Sequence, residues 1–247
     1  VVIFSMNEPT VNLSKHCFEK LGFKNIIIIE NDKSFAEKFI EFANIVHDTD
    51  FEYYVRSDSD RFVFDGMLEL LVYSMENKVQ QSEGVGFDFF MNKFRGATPN
   101  IYHRNVLLKL HEDNNLIEEV PKPETSFFKK ANIKNIPQNI FTNLHDYYQL
   151  PSKACNTFLN RFIRDGSAIH YKSHYLNKLP QYYINAFNVA WDFFKKGKYT
   201  VDMNYQDFDY LDKNVVLDID LEKNYEVLKK IYEVKKTIWN KNIVGKN

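Results

Sequence analysis

The sequence predicts an α/β fold in which a mostly parallel sheet is flanked by helices and followed by a helical C-terminal extension. Three observations support this prediction. Residues 1–6 and 25–30 are short runs that are apolar at successive positions, as in strands buried on both faces. A segment with helical spacing of apolar residues follows each run, and a third apolar run comes at residues 51–55. Strands that alternate with helices in this way form parallel sheets.

Local signals mark the ends of the first elements. Pro9 and its polar neighbours end the first strand. The helix predicted at residues 12–22 finishes at Gly22, the residue type that most often ends helices. A phenylalanine-rich apolar face marks the helix that follows the second strand. The loops at the carboxyl ends of these strands are polar, and ligands bind at that edge in open α/β sheets.

Two aspartates follow the third strand. Asp58 and Asp60 are one residue apart, just after the apolar run at residues 51–55. In extended backbone, residues i and i+2 point to the same side, so the two carboxylates can face one hard cation. Aspartates at this spacing also occur in solvated turns and helix caps. A second such pair, Asp218 and Asp220, stands before a lysine-rich helix and is interpreted as an exposed strand face or a helix start.

The rest of the chain gives a coarser pattern. Residues 122–143 are punctuated by prolines and are predicted to be a long surface excursion. We expect residues 1–175 to form the main domain and residues 176–247 a mainly helical extension packed on it. The other predicted elements are strands at residues 84–90 and 167–171 and helices at residues 154–163, 179–194 and 221–239.

Composition excludes several classes of protein. The formal net charge of −1 and the pI near 6.7 provide no global basic field that would favour nucleic acid. Two cysteines are too few to suggest a disulfide-stapled secreted domain. No apolar run approaches the roughly 20 residues needed to cross a bilayer, and no signal peptide is visible. We expect a cytoplasmic protein, with docking of the lysine-rich helix at a membrane surface as the alternative.

Phosphate-binding motifs based on glycine are missing. The chain contains neither G-x-G-x-x-G nor G-x-x-x-x-G-K-[ST], which counts against a dinucleotide-binding Rossmann domain and a P-loop enzyme. A diphosphate held without a glycine-rich cradle needs another source of positive charge. A divalent cation on Asp58 and Asp60 would supply that charge.

The order of these segments resembles the nucleotide-sugar-dependent glycosyltransferases with the GT-A fold, most closely family 2. The resemblance covers residues 1–175 and implies a GT-A-type sheet with a Rossmann-like nucleotide-binding half. His145 stands where the family's Glu-Asp motif usually has glutamate. The segments that carry the resemblance are Ser5-Met6-Asn7-Glu8, Glu30-Asn31-Asp32, Asp58-Ser59-Asp60 as the DxD motif, Arg95-Gly96, Tyr102-His103-Arg104, His145-Asp146 and the strand ending at His170.

The resemblance implies a donor site for a nucleoside-diphosphate sugar, with a UDP-sugar expected. The metal ligands it implies are Asp58, Asp60 and His170. A histidine ligand favours Mn²⁺ over Mg²⁺, because imidazole is a poor ligand for magnesium. Structural roles remain open for His170, as a hydrogen-bonded histidine at a strand end, and for Asp32, as a helix N-cap. The implied nucleotide-sugar-binding residues are Ser5, Asn7, Glu8, Asp32, Arg56 and Asp58.

The resemblance also implies an acceptor side, where a glycan or another hydroxyl-bearing molecule accepts the sugar. Asp146 is the candidate general base of an inverting reaction, in which a carboxylate takes the proton of the acceptor hydroxyl. Asp88 or Asp165 could replace it, and Asp146 could instead cap the following helix. A retaining reaction would need no such base. Arg95, Tyr102 and Arg104 are candidates for contacts with the acceptor or a phosphate.

Two other classes of function remain open at this point. A nucleotidyltransferase also uses paired aspartates on an α/β sheet, but it normally has a basic, glycine-rich loop after its first strand. That loop is absent from this sequence. A non-catalytic module that binds a nucleotide sugar would keep the same fold without turnover.

Overall fold

The computed structural model describes residues 1–30, 33–90, 93–118, 123–165, 181–197, 208–213, 215 and 217–244. The described chain forms two compact units. The first unit combines Val1–Phe87, Phe94–His145 and Ile219–Asn247, and the second combines Asp88–Lys93 and Asp146–Asp218. The division at residue 175 that the sequence suggested stays a prediction.

Strands of the described chain form one seven-stranded sheet with the order β2-β1-β3-β6-β5-β7-β4. β1 pairs in parallel with β2 and β3, whereas β3–β6 and β4–β7 are antiparallel pairs. The predicted α/β class, a Rossmann-like sheet flanked by helices, is confirmed. The strands are β1 (Val2–Ser5), β2 (Ile27–Glu30), β3 (Tyr53–Asp58), β4 (Arg61–Val63), β5 (Gln81–Asp88), β6 (Lys93–His103) and β7 (Asn135–His145).

Helices alternate with the strands in the order α1 (Val11–Lys20), α2 (Phe35–His47), α3 (Gly66–Glu76), α4 (Arg104–Glu112), α5 (Pro123–Lys130), α6 (Pro151–Asp165), α7 (Gln181–Lys195) and α8 (Leu221–Val244). None of the described helices has the length and apolar character that a membrane span requires. At the start of α2, Ser34 and Glu37 form a capping box: the Ser34 hydroxyl accepts from Glu37 N at 3.2 Å, and Ser34 N donates to the Glu37 carboxylate at 2.8 Å.

Aromatic side chains fill the core beside α2. Phe39 and Phe42 are fully buried and meet the ring of Phe4 edge to face, with centroids 5.8 and 6.2 Å apart. Tyr54 of β3 and Tyr102 of β6 are opposite each other in the sheet and pack on the same cluster. Edge-to-face pairs of this kind stabilise beyond the area that they bury. The helix spacing of these phenylalanines therefore fixes α2 against β1 and β3.

Helix α8 belongs to the first unit and is tied to β7 and α3. The Tyr232 hydroxyl donates to Phe141 O at 2.7 Å and accepts from Gly66 N at 3.2 Å. A Cβ on Gly66 would lie 1.9 Å from Phe141 O, so only glycine allows this close approach. Lys236 adds ion pairs to Asp65 and Glu69 of the α3 start, at 2.8 and 3.1 Å.

The second unit has its own core, formed by α6 and α7. Phe158 and Phe162 of α6 meet Phe187 of α7 edge to face, at centroid distances of 5.2 and 5.3 Å. Tyr183 donates its hydroxyl to Tyr147 O at 3.3 Å and so secures the chain ahead of α6. These contacts make the unit compact by itself.

The structure differs from the sequence prediction on either side of the site. Residues 122–143 were expected as a surface excursion, but they contain α5 and most of β7. Pro137 and several asparagines obscure the strand pattern, and only the last residues of β7 are buried. Between Asp60 and α3 the chain forms β4, which pairs with β7. This pairing joins segments that are distant in sequence, which no local pattern can indicate.

Candidate functional site

A carboxylate and an imidazole meet where β4 begins and β7 ends. The register pairs Arg61 with His145, so Asp60, the residue before Arg61, lies beside the histidine. Asp60 is 8% exposed and His145 7% exposed. The Nε2 atom of His145 is 3.5 Å from Oδ2 of Asp60. Arg61, which is also buried, has its Nε atom 3.9 Å from the other oxygen of Asp60.

The Asp60–His145 pair fits a divalent cation. Two ligand atoms that are each about 2.1 Å from one ion lie about 3.0–3.5 Å apart, which matches the separation of these two side chains. One oxygen and one nitrogen ligand suit Mn²⁺ better than Mg²⁺, since magnesium prefers oxygen alone. Asp146, the next residue along the chain, is also buried and belongs to the second unit. An ion bound here would have to compete with Arg61 for Asp60.

Arg95 of β6 contacts the other nitrogen of the His145 ring. The guanidinium NH2 atom is 3.2 Å from Nδ1. Because arginine only donates hydrogen bonds, Nδ1 is the acceptor, and in the neutral ring the proton lies on Nε2, which faces Asp60. Coordination of a metal through Nε2 therefore requires the ring proton to move to Nδ1 and the Arg95 contact to open.

Asp58 is the last residue of β3 and is held by a buried cation. Its carboxylate forms a close ion pair with Arg56 NH2. Arg56 is 2% exposed, and its guanidinium lies 4.8 Å from the ring centre of Phe4 and 4.7 Å from that of Phe35. One third of the Asp58 side chain remains exposed, 33%, so this carboxylate can still reach a ligand.

Glu8 ties the loop after β1 to the aspartate pair. Its Oε2 atom accepts from Met6 N at 2.5 Å and from Ser5 Oγ at 3.1 Å. The same oxygen accepts from the hydroxyl of Ser59, between the two aspartates, at 2.5 Å. Asn7 adopts a positive φ of 60° in this loop, a conformation that asparagine tolerates better than most residues. Two of the polar segments predicted from the sequence are thus joined at one edge of the sheet.

A lysine that the sequence analysis did not single out lies at the same edge. Lys38 is 2% exposed, and its Nζ atom donates to Ser5 O at 2.6 Å. A sequence signal exists: Lys38 stands between Phe35 and Phe39 on the apolar face of α2, where a charged residue is unusual. The buried ammonium adds positive charge near the end of β1.

The residues predicted to contact the acceptor are dispersed. Arg95 lies beside His145, as described above. Tyr102 is 0% exposed and donates its hydroxyl to Glu124, so an acceptor contact would require this side chain to leave the core. Arg104 donates to Asp50 at 2.7 Å near the start of α4. The acceptor roles of these three residues remain predictions.

Asp146 follows β7 directly and is 2% exposed, with a φ of 63°. Gln149 Nε2 donates to its carboxylate at 3.3 Å. Helix α6 begins at Pro151, several residues later, so Asp146 is not in the N-cap position that the sequence left open for it. The role of general base stays a prediction. Asp32 and His170, predicted for the donor and the metal, lie outside the described residues.

Comparisons with known proteins give limited likeness. No protein-family model and no curated protein matches the chain. Similar solved structures include A197 from STIV, with 9% identity and a TM-score of 0.44 over 56% of this chain and 80% of that one. A 4-diphosphocytidyl-2C-methyl-D-erythritol synthase from Anaerococcus prevotii has 9% identity and a TM-score of 0.43, covering 60% of this chain and 90% of that one.

A third similar structure is CMP:2-keto-3-deoxy-manno-octonic acid synthetase complexed with CTP. It has 9% identity and a TM-score of 0.41, and the match covers 67% of this chain and 98% of that one. Two of these three proteins are thus named for cytidine nucleotide products. Identities and TM-scores this low carry no argument about the activity of this chain.

Proposed function

We propose that this chain is a metal-dependent glycosyltransferase that moves a sugar from a nucleoside-diphosphate sugar, first of all a UDP-sugar, to an acceptor hydroxyl. The observation that carries the proposal is the buried Asp60–His145 pair at the sheet edge. Buried acidic and imidazole groups at such an edge are unusual unless they bind something. Ser59, which stands between Asp58 and Asp60, links this region to the loop after β1 through Glu8.

Asp60 and His145 would hold the cation, Mn²⁺ or Mg²⁺, with Asp58 as a further ligand. When bound, the ion neutralises the negative charge that develops on the leaving diphosphate. His145 then takes the place that the sequence resemblance assigned to His170, unless both histidines contribute. This assignment gives a chemical reason for the histidine at position 145, where the family's motif usually has glutamate.

Donor binding would use the loop after β1 and the end of β3. Asp58 is partly exposed and suits a contact with a ribose hydroxyl. Ser5 and Glu8 are engaged with each other and with Ser59, so they would shape the loop, whereas Asn7 is exposed and free to turn to a nucleotide. Asp32 keeps its proposed contact with the base or ribose. Positive charge from Lys38 would favour the diphosphate.

Asp146 is the proposed general base, which takes the proton of the acceptor hydroxyl in an inverting reaction. Asp146→Asn tests this role. Transfer should fall steeply while Mn²⁺ binding stays intact. A parallel loss of Mn²⁺ binding, or unchanged transfer, would contradict it.

A second candidate function is nucleotidyl transfer. The same observation supports it, because a cation on Asp60 and His145 serves a pyrophosphate leaving group equally well. Two of the similar structures are named for cytidylyl products, but their TM-scores are too low to count as support. Against it stands the loop after β1, which has no basic residue and no glycine between Met6 and Thr10.

The experiment is a substrate screen of the purified chain with Mn²⁺. One set of reactions contains UDP-, GDP- and CDP-sugars, and a second set contains CTP or UTP with sugar phosphates. Release of UDP or another nucleoside diphosphate supports glycosyl transfer, and NMR of the product anomer then distinguishes inversion from retention. Release of pyrophosphate instead would establish the second candidate. Tight nucleotide binding without any turnover would contradict both and indicate a binding module.

A further inference from the structure

Arg56 is a fully buried cation with a fixed place in the site. Its guanidinium lies against two phenylalanine rings, Phe4 and Phe35, and the side chain is 2% exposed. A buried charge is costly unless an opposite charge accompanies it. Arg56 therefore needs a carboxylate close to it at all times.

Two carboxylates lie beside Arg56, and they differ in exposure and in the hydrogen bonds that hold them. Asp58 contacts NH2, at the end of β3, and its side chain is 33% exposed. Glu124 of α5 places Oε2 3.9 Å from NH1, and its side chain is 21% exposed. Two buried donors hold Glu124: Asn100 Nδ2 at 2.6 Å and the Tyr102 hydroxyl. One carboxylate thus faces the site while the other is anchored.

The Tyr102 hydroxyl serves as a neutral donor in this arrangement. Burial, with the adjacent Glu124 carboxylate, raises the pKa of Tyr102 well above its ordinary value. A protonated phenol gives Glu124 a hydrogen bond across the whole physiological pH range. This contact explains why a tyrosine is buried at position 102.

We propose that Glu124 is a positioning residue, a reserve counter-ion that keeps Arg56 neutralised when Asp58 turns away to bind the donor. Without a second carboxylate, Arg56 would remain buried and unpaired whenever Asp58 moved away. With Glu124 present, that cost is reduced, so Asp58 is available to a ribose hydroxyl or a cation. The link to the donor rests on the proposed function, but the counter-ion role does not.

The counter-ion role is tested by a double-mutant cycle on stability with Asp58→Asn and Glu124→Gln. Both substitutions keep the shape of the side chain and remove its charge. Each single variant leaves Arg56 one carboxylate at ion-pair distance, whereas the double variant leaves it only the more distant Asp60. The urea midpoint of the double variant should therefore fall by clearly more than the two single shifts added together, and failure to fold would be the extreme of this result. Additive shifts would overturn the proposal.

The positioning role is tested by calorimetric titration of UDP in the presence of Mn²⁺. In Glu124→Gln, Asp58 is the sole remaining partner of Arg56, so UDP affinity should fall about tenfold, the size typical of residues that orient a ligand group. Tyr102→Phe, which removes one hydrogen bond to Glu124, should change the affinity in the same direction and by less. The matched control is Glu118→Gln, which removes an exposed carboxylate paired with Lys130 of α5, the helix that carries Glu124.

Unchanged or higher UDP affinity in Glu124→Gln would overturn the positioning role. A gain is the natural alternative, since removal of a negative charge near the site attracts an anionic ligand. If the unaltered protein binds no UDP with Mn²⁺, the proposed function fails. The stability cycle still decides the counter-ion role in that case, so the two failures are distinguishable.

Discussion

Two Asp-x-Asp pairs in this chain have the same spacing and different surroundings. Asp60 is buried beside His145, and Asp58 is paired with the buried Arg56. In the second pair, Asp218 and Asp220 are exposed. The Asp220 carboxylate accepts from Lys223 N at 3.0 Å and so caps the N-terminus of α8, one of the two structural roles expected for it.

The difference shows what a short acidic motif needs in order to be a site. Both pairs have the same spacing, so spacing alone does not distinguish a site from a helix cap. The first pair has in addition buried cationic and imidazole neighbours, brought from β7 and from β3 itself. These neighbours come from the sheet rather than from the motif.

The largest expected effect is on Asp60. Asp60→Asn removes a ligand charge, so metal-dependent turnover should fall by more than about 100-fold, beyond the usual effect of losing a residue that only orients a ligand. The matched control is Asp220→Asn, which can still cap α8 and should leave turnover unchanged. The measurement is the initial rate of nucleotide release with Mn²⁺. Equal rates in both variants would remove the distinction between the two pairs.

His145→Gln tests the neighbour that distinguishes the first pair. Glutamine has the hydrogen-bonding capacity to contact Arg95, but its amide is a poor metal ligand compared with imidazole. We expect Mn²⁺ affinity to fall at least about tenfold, a change measured by electron paramagnetic resonance of the free ion. Retained affinity would show that another residue provides the nitrogen ligand.

Asp220→Ala should affect stability alone. Loss of an N-cap typically lowers the free energy of unfolding by about 1 kcal/mol. Urea denaturation followed by circular dichroism gives this value, and the rate of nucleotide release should stay that of the unaltered protein. A large loss of activity at normal stability would mean that the second pair is also functional.

The smallest expected effect concerns another carboxylate at a helix start. Asp65 caps α3, accepting from Gly66 N at 2.9 Å, and pairs with Lys236. Burial alone raises the pKa of Asp65, but the hydrogen bond and ion pair with Lys236 outweigh it, so the pKa lies below its ordinary value. A depressed pKa stabilises the fold above the unfolded-state pKa of about 3.9, and this stabilisation is lost as pH falls through the folded-state pKa.

Lys236→Met removes that ion pair and keeps an apolar stem against Tyr232. At pH 7 the free energy of unfolding should fall by less than about 1 kcal/mol, because the Asp65 side chain is 57% exposed and water screens the pair. The difference from the unaltered protein should shrink as pH is lowered and the carboxylates become protonated. Urea midpoints at pH 7 and pH 3 provide the measurement. A difference that grows in acid would contradict this origin of the stabilisation.

Local patterns were sufficient for the first half of the sheet. The runs predicted at residues 1–6, 25–30 and 51–55 correspond to β1, β2 and β3, because each is continuous and apolar and is bounded by polar loops. Asp58 was expected after the end of the strand, but β3 extends to this residue. Parallel pairing of these strands follows from the alternation with α1 and α2.

Long-range pairing explains what the sequence did not reveal about the site. Asp60 was predicted as a ligand, but its neighbour His145 was noted only as a departure from a family motif. The β4–β7 pairing brings the two together, and it depends on a register between segments far apart in the chain. Tyr102 and Glu124 meet for a similar reason, through α5, which the sequence had assigned to a loop.

The central claim is that the aspartate pair after β3 forms a metal-dependent nucleotide site. Calorimetric titration of Mn²⁺ in the presence of UDP tests it most directly, with the unaltered protein, Asp60→Asn and Asp220→Asn side by side. The account predicts binding by the unaltered protein and by Asp220→Asn, and its loss in Asp60→Asn. Binding of equal strength in all three proteins, or in none, would contradict it.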